Sequence, residues 1–170
     1  VVYFAKAVRH EDLKMSATNC FGVIGPDGVP KTKVPFVAGE GAAPAFLHDY
    51  FITKTFAICV DHSLRADATK MVSTGYFAFD AKRNMRLGVL PRDATDGAQP
   101  EWYDLGMPGF VWHCVAATES TSPSGDNLVT CWMPIFEEYT NEVPIHLPDE
   151  PESFLWKIVI NTTTKQVVSK

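Results

Sequence analysis

Phe110-Val-Trp-His-Cys-Val-Ala116 is a run of aromatic and β-branched residues without helical periodicity. It leads into Thr118–Asn127, a hydrophilic stretch of Ser, Thr, Gly and Pro, and then into Leu128-Val-Thr-Cys-Trp-Met133. Two β-prone runs flanking turn-forming residues predict a hairpin. Outward from it the same grammar repeats. Cys20–Ile24 and Thr32–Val37 flank the turn Gly25-Pro-Asp-Gly28, with Pro35 placing the second run at an edge or a bulge. Phe46–Thr53 and Thr55–Val60 flank Lys54, and Gly75–Phe79 and Arg86–Leu90 flank Asp80–Asn84. Trp102–Leu105 is a short strand, and Phe154–Ile160 and Lys165–Val168 close the chain as a hairpin. Leu64–Val72 reads as a crossing loop or helical turn, Gly39–Pro44 as a small-residue loop, and the acidic Pro134–Pro151 as a solvated excursion. About a dozen short strands at even spacing predict an all-β sandwich, barrel or propeller, and no sequence period singles out the last.

The 170 residues are enough for one domain, are 46% hydrophobic and 21% charged, and carry a net charge of -5. That charge argues against nonspecific binding of nucleic acid, and no apolar run reaches the roughly 18 residues of a spanning helix. Cys20, Cys59, Cys114 and Cys131 form no C-x-x-C pair. They read as reduced thiols, three of them in apolar stretches, in keeping with an intracellular compartment. Val1–Ala5 and Val167–Lys170 read as interrupted strands, so the expectation is one segment, residues 1–170, incomplete at both ends. Asn161-Thr-Thr163 is a glycosylation sequon that coincides with a hairpin turn, and the turn reading is preferred.

Five histidines are present. His10, His62 and His146 fall in loop-like or acidic settings and read as solvent-exposed. His48 and His113 each lie inside an apolar β run, where an unsatisfied imidazole is costly. Each therefore needs a partner, either a hydrogen bond or a metal, and neutral imidazoles suit iron, copper or zinc. No H-x-H or H-E-x-x-H spacing links them, so a shared site requires distant strands to converge.

Four strings carry a family resemblance. His48-Asp-Tyr-Phe-Ile-Thr53 resembles the H-D-F-x-I-T strand of the carotenoid cleavage dioxygenases, and Arg86-Leu-Gly-Val-Leu-Pro-Arg92 resembles their R-x-G-V-L-P-R signature. Phe110–Ala117 resembles their F-x-x-H-x-x-N-A strand, and Trp156–Gln166 their R-x-N-x-x-T-G hairpin. The resemblance implies a seven-bladed β-propeller, of which this chain would supply about two to three blades. It implies one Fe(II) on four axial histidines. His48 matches the second and His113 the third, with the first upstream of Val1 and the fourth far downstream. It implies oxidative cleavage of a conjugated double bond by dioxygen, in a hydrophobic polyene such as a carotenoid or apocarotenoid. It also implies supporting glutamates, one of them in an E-F-P motif beyond Lys170, and an apolar tunnel for which Phe46, Tyr50, Phe110 and Trp112 are lining candidates.

The chain departs from the pattern after His113. Val115-Ala-Ala-Thr-Glu119 stands where the family has Asn-Ala-Trp-Glu, and Cys114 sits beside the ligand position, where strand alternation turns it toward the core. Two other readings stay open. One is a truncated, non-catalytic relative, a structural or pigment-binding subunit of a larger assembly, such as a plastid photosynthetic one, or a peripheral membrane protein. The other is an unrelated β-sandwich or barrel in which both histidines are structural. On its own this chain would hold half a metal site and be inactive. The compartment implied is plastid or cytoplasm.

Overall fold

The computed structural model describes residues 2–11, 14–36, 47–66, 77–95, 97–138 and 152–170, and these are all-β. Three antiparallel meanders follow one another. The first sheet has the order β1 (Val2–Glu11), β2 (Lys14–Ile24), β3 (Pro30–Phe36). The second runs β4 (Tyr50–Ile52), β5 (Phe56–Asp61), β8 (Arg86–Pro91), β9 (Glu101–Asp104), with the hairpin β6 (Leu64–Ala66) and β7 (Phe77–Phe79) inserted between β5 and β8. The third runs β10 (Ala116–Thr121), β11 (Asn127–Phe136), β12 (Ser153–Asn161), β13 (Gln166–Ser169). The last two sheets lie side by side, first strand β4 against first strand β10 and last strand β9 against last strand β13. Four-stranded meanders stacked in this way are propeller blades.

One core joins these two blades. Ile58, Val60, Leu87 and Val89 from the second sheet meet Val129, Cys131, Met133, Ile135, Ile158 and Ile160 from the third. A second core, with Phe21, Val34, Phe36, Ala57, Cys59 and Leu90, joins the first sheet to the second. The alternation of β5 divides its side chains between the two cores, Ile58 and Val60 to one, Ala57 and Cys59 to the other. Among the described residues the four cysteines are free thiols, with Cys20, Cys59 and Cys131 buried. Burial pushes the Cys131 thiol up to about 12.

The structure explains the string Arg86–Arg92. Leu87, Val89 and Leu90 are buried. A Cβ on Gly88 would meet the Trp102 ring at 2.5 Å and Cys59 Sγ at 2.8 Å, so the crossing tolerates no side chain there. Arg92 Nη1 donates to the Thr53 carbonyl at 3.1 Å and closes the turn before β5. Arg86 reaches Asp61, which is fully buried, through Nη2 at 2.6 Å and Nε at 3.2 Å, and it stacks on Trp102 at 4.7 Å. Arg65 Nη2 takes the other oxygen of Asp61 at 2.6 Å, and Arg83 stands 3.8 Å away. Burial pulls the Arg65 guanidinium below its ordinary value, and Asp61 opposes that shift. One carboxylate thus holds three guanidiniums around the β5 end.

Several expected elements differ. Val8–Asp12 was expected to be a loop, but Val8–Glu11 belongs to β1, with His10 opposite Met15. Leu64–Ala66 is a strand rather than the crossing loop or helical turn expected of Leu64–Val72. Pro134–Phe136 continues β11 rather than opening the excursion, and Pro134 lies past the end of the β10 ladder, where its missing N–H leaves no pairing unmet. Pro35 does lie on an edge strand. Gly39–Pro44, Phe46, His146 and most of the acidic run lie outside the described residues. Asn161 is 7% exposed, and its side-chain oxygen accepts from the Thr163 and Thr164 amides at 2.9 Å each. It is therefore a turn residue, as its setting implies.

Lys165 has φ 60°, where the family hairpin string ends in glycine. The left-handed conformation costs a residue with a Cβ about 1–2 kcal/mol. Its exposed ion pair with Glu101, at 2.8 Å, returns at most about 1 kcal/mol. Lys165→Gly is therefore expected to raise stability by roughly 0.5–1 kcal/mol in urea unfolding, and a clear loss would mean that the ion pair outweighs the backbone strain. Asp61→Asn should cost on the order of 3–5 kcal/mol, because it leaves buried guanidiniums without a counter-charge. A urea midpoint close to wild type would show that the cluster contributes little.

Candidate metal centre

The strand expected over Phe110–Ala116 is an arch. Phe110 pairs with Phe136, donating to and accepting from its backbone at 2.9 and 3.0 Å, and Ala116 pairs with Trp132. Six residue steps on one side face four on the other, so two residues are surplus and the chain between the anchors bows out of the ladder. The arch starts at Gly109, whose φ of 153° and lack of Cβ permit close packing. An added Cβ would lie 2.8 Å from both Ile135 Cγ2 and Met85 Sδ. It ends where the Val115 amide donates to the Trp132 carbonyl at 3.0 Å. β10 then continues to Thr121, through residues expected to be loop.

This arch decides where His113 goes. Its side chain is 76% exposed, not enclosed in an apolar run as expected. His48 is also exposed, in the segment 47–49 just ahead of β4. The expectation of two buried, strand-borne imidazoles is thus corrected, since both lie on backbone that has left the ladder. The expectation that distant segments converge holds, with the two rings 5.5 Å apart at 70°. Each ring precedes the first strand of its blade, His48 by two residues and His113 by three. A metal–nitrogen bond of about 2.1 Å puts an imidazole centre roughly 3.2 Å from the ion, so two rings sharing one ion stand roughly 4.5–6.4 Å apart for bond angles from 90° to 180°. The observed spacing fits. Among the described residues, no three His, Cys, Asp or Glu side chains are grouped to hold a metal.

The surroundings are aromatic on one side and polar on the other. Trp112 meets the His48 ring edge-on at 5.3 Å and Phe110 at 5.5 Å, and Phe110 stacks on Phe136 at 4.7 Å. Of the lining candidates, Phe110 is buried and Tyr50 packs on the second core. Trp112, half-buried, is in contact with a site histidine. Cys114 packs on the core, as expected, though from the arch rather than from a strand, and burial pushes its thiol far above the ordinary value. His62 corrects another expectation: it is 2% exposed, with its ring 6.5 Å from Phe110.

Two acidic residues make contacts here that their strings do not announce. Asp49 Oδ1 accepts from the Tyr50 amide at 2.8 Å, and Oδ2 accepts from the Cys114 amide at 2.8 Å while standing 4.0 Å from His113 Nδ1. The legible signal was adjacency, since Asp49 follows one histidine directly. Glu119 ties β10 to the β4–β5 turn, accepting from the Thr55 amide at 2.7 Å and its hydroxyl at 2.8 Å. Partial burial works to raise its carboxyl, but hydrogen bonds from Thr53 and Thr55 and the charge of Lys54 outweigh this and hold it below the ordinary glutamate value. A depressed folded pKa gives stability that is present above the unfolded value of about 4.3 and is lost as pH falls through the lower folded value. Glu119→Gln should therefore unfold at lower urea than wild type at pH 7, with the gap closing as pH falls below about 4. A gap that persists in acid would mean that the amide disturbs packing instead.

A sequence profile described as "RPE65: Retinal pigment epithelial membrane protein" matches residues 6–170. The chain is 36% identical over 115 residues to a carotenoid 9,10(9',10')-cleavage dioxygenase of Crocus sativus, covering 65% of this chain and 20% of that protein. It is 37% identical over 107 residues to the chloroplastic 9-cis-epoxycarotenoid dioxygenase NCED1 of rice, Oryza sativa subsp. japonica, covering 61% and 16%. The crystal structure of Pseudomonas brassicacearum lignostilbene dioxygenase superposes with a TM-score of 0.72 at 17% identity, over 98% of this chain and 34% of that one. The chain thus spans about a fifth of the curated relatives and a third of the solved structure.

Proposed function

The chain belongs to the retinal pigment epithelial membrane protein family, and from that premise we propose that the full-length protein is a non-haem iron(II) dioxygenase cleaving a carotenoid or apocarotenoid. Its fold is part of the seven-bladed β-propeller of the carotenoid oxygenases, and residues 1–170 form one segment of it. The observation that carries the reading is the 5.5 Å approach of His48 and His113 from equivalent positions of consecutive blades. Two further histidines from outside this chain complete the ligand set.

The overall reaction adds both atoms of dioxygen across one conjugated C=C bond and yields two carbonyl compounds. Ferrous iron, when bound, supplies the redox-active centre for dioxygen chemistry. His48 and His113 contribute neutral nitrogen donors, which leave the charge of the ion uncompensated by the ligands. Their exposure directs them to the open side of the blades, and Trp112 offers an aromatic face next to His48, suited to a flat polyene. No helix of the described residues is long and apolar enough to cross a membrane. The chloroplastic relative favours a plastid, with the cytoplasm as the other compartment.

The test is iron content and product formation in the full-length protein. His48→Ala and His113→Ala should each lower iron per chain by at least tenfold and abolish the carbonyl products from a β-apocarotenal substrate. Unchanged iron in both variants overturns the assignment. Iron and pigment bound without cleavage in the wild type would favour the non-catalytic, pigment-binding reading.

A further inference from the structure

We propose that Asp49 is a positioning residue whose carboxylate clamps the His113 arch to the His48 segment and so sets the spacing of the two imidazoles. The proposal rests on the reading of both histidines as ligands of one ion. Its geometry is independent of that reading. Asp49 directly follows His48, and Cys114 directly follows His113. The carboxylate joins these two residues, 65 apart in sequence, through a 2.8 Å hydrogen bond from the Cys114 amide. Its other oxygen accepts from the Tyr50 amide at 2.8 Å, which fixes the rotamer at the head of β4.

The arch needs such a clamp. It carries two surplus residues, and ladder bonds hold it at Phe110 and Val115. Between these anchors lies His113, largely in solvent. An exposed imidazole on bowed backbone has many orientations to lose when it binds a metal. A charge-assisted bond to the next residue's amide removes much of that freedom beforehand. The Asp49 carboxylate also faces the Nδ1 side of the ring at 4.0 Å, which leaves Nε2 as the nitrogen on the opposite side. Carboxylates set behind ligating histidines commonly act in this way.

The experiment measures cobalt(II) affinity and visible absorption in the iron-free full-length protein, with thermal melting as the control for folding. Asp49→Ser is too short to span to the Cys114 amide, and Asp49→Glu keeps the charge but adds a methylene that displaces the clamp. Both are expected to weaken cobalt binding by about 10–100-fold and to alter the visible bands. Asp49→Asn keeps an oxygen for the Cys114 amide but sets its NH2 against the Tyr50 amide, and is expected to bind cobalt with an affinity between wild type and Asp49→Glu, the partial rescue expected of a clamp made by geometry. If Asp49→Ser fails to fold, the Glu and Asn pair decides. Wild-type affinity in Asp49→Glu overturns the proposal, as does an Asn variant as weak as the Glu variant. His48→Ala and His113→Ala separate the two ideas. If they abolish cobalt binding while Asp49→Ser and Asp49→Glu leave it intact, the clamp is wrong and the ligand assignment stands. If they bind like wild type, the ligand assignment itself fails.

Discussion

The apolar contact between the second and third blades is the constraint on which the site depends. Ile58, Val60, Leu87 and Val89 on one side and Val129, Cys131, Met133, Ile135, Ile158 and Ile160 on the other are all buried. Each fully buried aliphatic side chain contributes about 1.5–3 kcal/mol, whereas an exposed ion pair such as Lys165–Glu101 contributes at most about 1 kcal/mol. Packing therefore holds the blades together. The polar links act on a finer scale, Glu119 at the first strands and Lys165 and Lys170 at the last. With the blades so fixed, the heads of β4 and β10 stay adjacent, and the histidines that precede them meet.

A propeller blade is regular where it packs and irregular where it works. The ladder bonds of β11 continue through Phe136, but its partner strand leaves them after Phe110 and returns at Ala116. Had the pairing continued without surplus residues, strict alternation would have tied the orientation of His113 to that of its neighbours on the blade. The arch frees it from that alternation. Gly109 at one end and the aromatic stack of Phe110 on Phe136 make the departure sharp. The buried Asp61 cluster fastens the end of the β5–β8 pair in the neighbouring blade, and Ser63, two residues on, bonds to Gly109 at the start of the arch.

Much of this was legible in the residues. The strand runs at Thr55–Val60, Arg86–Leu90, Leu128–Met133 and Phe154–Ile160 were readable because their β-prone residues do form strands, as β5, β8, β11 and β12. The pairing of His48 with His113 was legible through their flanking strings and not through spacing. Their exposure was not legible. Val111, Trp112, Cys114 and Val115 have the composition of a strand, and only the register against Trp132–Phe136 reveals that two of the residues between the anchors have no place in it. Propensity is a local property, while a bulge is a count taken across two strands. His62 erred in the opposite direction. Its position after Asp61 suggested a solvated turn, yet Asp61 and Ser63 on either side are both fully buried, Asp61 by ion pairs and Ser63 by bonds to Arg83 and Gly109.

The departures after His113 follow from the same geometry. Ala116 stands where the family string has asparagine, and it is exposed at the start of β10. An asparagine there offers a side-chain bond to nearby backbone, which alanine does not. The amide of the preceding residue, Val115, is bonded to the Trp132 carbonyl, so the backbone anchor survives the substitution. On the other flank of His113, Asp49 supplies a side-chain contact, to the Cys114 amide. The arch is thus supported from the His48 segment at Cys114 and from its own blade at Val115. An arrangement of this kind ties the two histidine segments to each other as well as to the strands that follow them.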